Sequence, residues 1–169
     1  MLKQLQKTKD QKGFTIIEVL IVLAIAGLIL LIVFLAVPAL QRNSRNTQYR
    51  SEASRLLAST QEFVNNNGGT LPGASGSGTA GTDAAKIFSL ANPKNVSVLT
   101  VVASGTVTAQ SPTLGATPTD IIVSGGVKCG AVGGTSVTPT TTGASPRTLI
   151  LIYAVENSDG SVNAQCTES

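Results

Sequence analysis

Twenty-two consecutive residues, Val19 to Leu40, carry no charge. From Phe14 to Leu40, 23 of 27 residues are apolar, and the exceptions are Thr15, Glu18, Gly27 and Pro38. A helix crosses the ~30 Å hydrocarbon core of a bilayer with about 20 residues, so this segment is long enough to span. A buried core helix of that length would normally keep a polar face, and none is present here. Lys3, Lys7, Lys9 and Lys12 precede the run with only Asp10 among them, which sets the N-terminus on the cytoplasmic side. A cleaved secretory signal fits less well. Its apolar region should be about 7 to 15 residues long and end in a small-x-small site. The run ends instead at Ala36-Val37-Pro38-Ala39-Leu40.

Glu18 is the exception that needs a reason. A charged side chain at the centre of a spanning helix costs about 2.5–3.5 kcal/mol. Each Val, Leu, Ile or Phe returns roughly 0.3–0.6 kcal/mol on the same insertion scale, and 15 of them lie between Val19 and Val37. Insertion therefore survives the charge, but an acid there calls for a cationic partner from elsewhere. Snorkelling to the near interface is the alternative.

Lys12-Gly13-Phe14-Thr15-Ile16-Ile17-Glu18, followed by Val19-Leu20-Ile21-Val22-Leu23-Ala24-Ile25, resembles the processing site of type IV pilins and pseudopilins. The resemblance covers about residues 1–45. It implies that a prepilin peptidase cuts between Gly13 and Phe14 and methylates the new amine of Phe14. It further implies that Glu18 is the assembly glutamate, which meets the Phe14 amine of a neighbouring subunit. Cleavage would leave Glu18 about 6 Å along the helix from a new ammonium group. Pairing the two between subunits neutralises both in low dielectric and fixes their axial stagger. Gly13 suits a cramped protease site. The chain departs from the family at Leu35, where many pilins carry proline. Here Pro38 takes that part, so a kink or local melting is expected near residues 34–38.

Beyond the span the pattern becomes amphipathic. Tyr49, Ala53, Leu56, Leu57, Thr60 and Val64 share one face at 100° per residue, with Phe63 at its edge. Gln48, Ser51, Arg55, Ser59 and Glu62 lie opposite. Asn65-Asn66-Asn67-Gly68-Gly69 stops the helix. Arg42, Arg45, Arg50 and Arg55 scatter around the axis without an aromatic ladder, so they read as solvated or headgroup-contacting, and no specific nucleic-acid partner is expected.

Residues 68–169 hold 15 of the 17 glycines and only nine charged residues. Gly68 to Thr82 reads as a flexible loop and Asp83–Leu90 as a short helix with Thr82 as N-cap. Strands are expected at Val96–Ala103, Thr106–Ala109, Ile121–Ser124, Thr148–Glu156 and Ser161–Cys166. Glu156-Asn157-Ser158-Asp159-Gly160 reads as a hairpin turn, with a calcium loop as the alternative, and Val137–Pro146 as an exposed loop. Asn95-Val96-Ser97 fits the N-glycosylation pattern, a short motif that chance often supplies. Cys129 and Cys166 are an even pair on the side expected to be outside, which favours a disulfide over two free thiols. The pairing also resembles the C-terminal disulfide region of many pilins.

The expected fold is α+β: a long N-terminal helix on a small antiparallel β-sheet head. Its parts are a removable leader at 1–13, an apolar membrane or filament-core helix at 14–40, an amphipathic continuation at 41–66 and a β-sheet head at 67–169. Without histidine there is no Ser-His-Asp triad and no histidine-bound zinc, and two cysteines do not make a four-thiolate site. No enzyme activity and no cofactor are expected. The resemblance implies a homopolymeric pilus filament as principal partner, with the prepilin peptidase, the type IV pilus assembly machinery and, before assembly, membrane lipid. The expected location is the cytoplasmic membrane, as a single-pass protein, and then an extracellular pilus. A pseudopilin of a type II secretion or competence system shares these features. A single-pass anchored binding domain is a further alternative, though it needs neither Glu18 nor the Gly13-Phe14 junction. The formal net charge of +3 lies wholly in residues 1–13, where four Lys and one Asp give 4 − 1 = +3. From Phe14 onward 8 basic and 8 acidic side chains cancel, so the basic balance belongs to the leader.

Overall fold

The computed structural model describes residues 13–73, 82–112 and 120–169. The leader residues up to 12 lie outside the described residues, as does most of the expected Gly68–Thr82 loop. The chain divides into two compact units, with the boundary between Leu40 and Gln41.

The first unit is apolar helix. Helix α1 runs from Ile16 to Asn66 and remains helical through residues 34–38, so no melted turn accompanies Pro38. Proline removes only its own N–H from the ladder, and the bonds on either side persist. Large apolar side chains from Ile16 to Leu40 are exposed all round, and among the described residues none of them is buried.

The second unit is a three-layer head. A four-stranded sheet has the order β1-β2-β5-β6, from β1 (Val98–Val102), β2 (Asp120–Gly125), β5 (Leu149–Glu156) and β6 (Val162–Glu168). β2–β5 and β5–β6 are antiparallel, whereas β1 and β2 are parallel, with Leu99 opposite Ile121. The expected sheet is thus antiparallel-rich with one parallel pair. A second ribbon joins β3 (Lys128–Gly133) to β4 (Ser136–Thr140), so the first four residues of the stretch expected to be loop from Val137 to Pro146 are strand. Thr106–Ala109 is not a strand. The segment instead reaches β4 through a bridge between Gln110 and Val137.

Strand β5 explains the layers. Successive side chains of a strand point to opposite faces. Leu149, Leu151, Tyr153 and Val155 pack on one face with Leu56, Leu57, Phe63 and Val64 of α1, and with Ile87 of α2 (Asp83–Ala91). Ile150 and Ile152 point the other way, against Ile122, Val127, Val137 and Ala164. The helices cover one face of the sheet and the β3–β4 ribbon the other, which is why β5 is apolar on both faces. Helix α2 forms as its sequence indicates: the Thr82 hydroxyl accepts the Ala85 N–H, and Asn92 closes the end in a left-handed conformation at φ 44°.

Candidate functional site

The N-terminal end of α1 gathers the predicted processing and assembly residues. Among the described residues nothing lies within 4 Å of where a Cβ would stand on Gly13, and Phe14 is 88% exposed. Thr15 precedes the first helical residue, and its carbonyl accepts the Val19 N–H. Its hydroxyl donates to Glu18 Oε2 at 2.7 Å, and its backbone N–H donates to the same oxygen at 2.9 Å. The Glu18 N–H points back to Thr15 Oγ1 at 3.4 Å. This reciprocal arrangement is a capping box, T-x-x-E, which serves two helix-end donors that otherwise have no partner. It also gives a carboxylate set among apolar side chains two donors within its own chain. Glu18 opens onto an apolar groove formed with Phe14, Val19, Val22 and Leu23. Glu18 stands out in the sequence as an acid in an apolar run, whereas Thr15 is signalled only by its T-x-x-E spacing to Glu18.

Residues 8–34 match the family model for the prokaryotic N-terminal methylation motif. The chain carries a type IV prepilin leader signal. Gly13, Phe14, Thr15 and Glu18 all fall inside the matched stretch. The motif supports a pilin or pseudopilin-like prepilin, handled by a prepilin peptidase and a pilus-like assembly system, and with the apolar helix it points to membrane anchoring. No curated protein and no solved structure matches the chain.

Within the head, Cys129 on β3 and Cys166 on β6 are joined in a disulfide with a Cα–Cα distance of 5.8 Å. The bond ties the ribbon to the edge of the main sheet, beside the apolar cluster under Ile150 and Ile152. Cys129 N–H also donates to Glu168 Oε2 at 3.3 Å.

Three of the four arginines expected to be solvated or headgroup-contacting instead hold the head to α1. Arg42 donates to the Ser158 carbonyl and Arg45 forms an ion pair with Glu156 at 2.6 Å. That carboxylate holds the Arg45 guanidinium above the ordinary arginine pKa. Between them, Asn46 donates to the Glu156 carbonyl at 2.7 Å and accepts its N–H at 2.9 Å, as a neighbouring strand would. Arg55 donates to the carbonyls of Ala91 and Asn92, at the C-terminal end of α2. Arg50 is exposed. Tyr49 is buried near the Arg45–Glu156 pair, and burial, then the Glu156 charge, raises its phenol pKa.

The β5–β6 turn is closed by its own side chains. Asp159 Oδ1 accepts the Ser161 hydroxyl at 2.6 Å and the Ser161 N–H at 2.8 Å, which lowers the Asp159 pKa. Asn157 Nδ2 donates to Ser161 Oγ at 2.8 Å. Among the described residues no three carboxylate or thiol groups are gathered to hold a metal ion. Asn95, the acceptor residue of the short glycosylation pattern, donates its side-chain amide to Glu52 at 3.0 Å.

Proposed function

We propose that this chain is a non-enzymatic structural pilin subunit. It is cut between Gly13 and Phe14, methylated on the Phe14 amine, and polymerised through its apolar helix into an extracellular type IV filament. The observation that carries this reading is the match of residues 8–34 to the methylation motif, in register with a capped apolar helix whose surface is unburied in the single chain. In the membrane that surface meets lipid. In a filament it meets other copies, and burial of apolar area drives the exchange once subunits leave the bilayer.

Glu18 has a defined part in this mechanism. In the lone subunit its carboxylate is held by Thr15. On assembly it meets the cleaved Phe14 ammonium of a neighbour, and opposite charges pair where an unpaired one is costly. The capping bonds let the subunit wait in the membrane without that neighbour.

Intact-mass measurement of the membrane-extracted chain, together with electron microscopy of surface filaments, tests the proposal. The expected mature chain starts at Phe14 with one added methyl group. Glu18→Ala should be cleaved normally yet yield few filaments. A retained leader defeats the processing claim, and normal filament yield from Glu18→Ala defeats the assembly role.

A further inference from the structure

The chain holds one Asn-Gly step and one Asp-Gly step, Asn67-Gly68 and Asp159-Gly160. In such steps the side-chain carbonyl carbon is open to the next backbone nitrogen, because glycine sets no side chain over it. The fold treats the two steps oppositely.

At Asp159-Gly160 both reacting groups are occupied. The Gly160 N–H donates to the Asn157 carbonyl at 3.2 Å, and Asp159 Oδ1 accepts the Ser161 hydroxyl and N–H. Those bonds favour the ionised carboxylate, which repels a nucleophile.

At Asn67-Gly68 the reacting groups are open. Helix α1 ends at Asn66, so the step lies just past the last helical residue, and both Asn67 and Gly68 are exposed. The Asn67 N–H donates to the Phe63 carbonyl at 3.0 Å and the Gly69 N–H to the Val64 carbonyl at 2.8 Å. The Gly68 N–H between them meets no acceptor among the described residues. Gly68 stands left-handed at φ 65°, and among the described residues nothing lies within 4 Å of where its Cβ would be. The Asn67 carboxamide is tied by its donation to the Phe63 carbonyl at 2.7 Å. One neutral hydrogen bond of that kind is worth little net against water.

We propose that Asn67 is a site of spontaneous deamidation, an age mark at the end of α1. The Gly68 nitrogen gives its proton to solvent base and bonds to Asn67 Cγ. The Cγ–Nδ2 bond breaks, and Nδ2 takes a proton from solvent and leaves as ammonia. Water then opens the five-membered imide. Attack at the side-chain carbonyl gives aspartate. Attack at the backbone carbonyl gives isoaspartate, in which the chain runs on through the side-chain carbon. One water is consumed and one ammonia released, so the step needs no oxidant, cofactor or enzyme. The product changes the helix end. A carboxylate has no N–H to donate to the Phe63 carbonyl, and its charge stands where the helix dipole is already negative. From Phe14 onward the side-chain charges then come to 8 − 9 = −1. The reaction needs a single chain, so the inference stands apart from filament assembly.

The test is tryptic mapping of the full chain after incubation in detergent micelles and, in parallel, unfolded in guanidinium chloride. Each incubation is run in weakly acidic and in weakly alkaline buffer. Residues 56–86 form one tryptic peptide, which carries Asn65, Asn66 and Asn67. A gain of about one dalton is expected at residue 67, at least tenfold faster than at Asn65 or Asn66, which are followed by asparagine. It should be faster in alkaline buffer, since the nucleophile is the deprotonated nitrogen, with isoaspartate in excess of aspartate. Relative to the unfolded chain, folding should slow Asn67 by less than tenfold. It should slow isoaspartate formation at Asp159, read in the reduced 148–169 peptide, by more than tenfold. Gly68→Ala should slow Asn67 at least tenfold in the folded and the unfolded chain alike, so the expectation holds even if the helix end loosens. An Asn67 that stays intact in the folded chain but reacts in the unfolded one overturns the proposal, because the fold then shields the step. Aspartate without isoaspartate also overturns it, since that product marks direct hydrolysis without the imide.

Discussion

Glu52 on α1 and Asn95, ahead of β1, are joined by three hydrogen bonds. Both carboxylate oxygens accept the Asn95 N–H at 3.1 Å, and Oε1 also accepts its side-chain amide at 3.0 Å. The Lys94 N–H adds a further bond to Oε1 at 3.2 Å. Glu52 is only 5% exposed, yet the turn after α2 turns its N–H groups inward and satisfies the charge. One helical turn on, Arg55 performs the converse task for the α2 carbonyls. Glu52→Ala should therefore cost about 2–3 kcal/mol, because it strands buried donors that a charged acceptor had served. Glu52→Gln should cost less, since one oxygen acceptor remains. Denaturant titration of the full chain in micelles checks both, and equal stability of the two variants would count against the contact.

The β5–β6 turn makes a second prediction, with a definite sign. Ser161 holds the folded-state Asp159 carboxyl below its ordinary value of 3.8. A carboxylate whose folded pKa is depressed binds fewer protons folded than unfolded, so its contribution is present above the unfolded value and is lost as pH falls through the folded one. The window therefore lies below about pH 4. The Asp159 carboxyl carbon should titrate by NMR with a midpoint below 3.8, and Ser161→Ala should move that midpoint upward. An unmoved midpoint would assign the shift to other groups.

The disulfide makes a third. It links positions 37 apart in sequence and constrains the unfolded chain by roughly 4 kcal/mol in the loop-entropy treatment. It also fastens a ribbon that, among the described residues, is tied to the rest of the head's backbone by isolated bonds to Gln110 and Ala164 and not by a strand ladder. Replacing both cysteines by serine should lower stability by up to that amount, with faster amide exchange in β3 and β4 than in β5. Uniform loss of protection across all strands would contradict a ribbon that loosens first.

What was legible in the sequence follows from the range of the forces involved. The apolar run and the period-3.6 face of α1 are local patterns, and the long helix follows from them. Strand β5 was equally plain, because a strand covered on both faces reads as continuous β-branched and aromatic residues. The ribbon was not legible. Strand β3 contains Gly130 and Gly133, and β4 contains Pro139, all residues that weigh against a strand. Close approach explains the glycine: a Cβ on Gly130 would collide with the Thr138 carbonyl oxygen, beside an irregularity in the β3–β4 register. The pairs Arg45–Glu156 and Glu52–Asn95 lie 111 and 43 residues apart, and no local signal names a partner at that distance. At the N-terminal end, by contrast, Gly13, Phe14, Thr15 and Glu18 lie within six residues, so their pattern is local and readable in the sequence.

Thr15 yields the last prediction. Its hydroxyl both donates to Glu18 and accepts the Glu18 N–H, so it fixes where α1 begins. Thr15→Val keeps the shape and removes both bonds, at a cost of about 1 kcal/mol for a lost N-cap. One kilocalorie is roughly a fivefold change in the open population of the first turn, so amide exchange at Glu18 and Val19, whose N–H groups are held by Thr15, should rise in a bilayer by about that factor. Exchange near Leu30 should be unaffected, because a helix frays from its end. The Phe14 junction and the Glu18 carboxylate remain, so cleavage should continue and filament yield should fall less than in Glu18→Ala. Unchanged exchange at both amides would show that the helix end is held by the bilayer alone, and a filament defect as deep as that of Glu18→Ala would mean that Thr15 itself meets the neighbouring subunit.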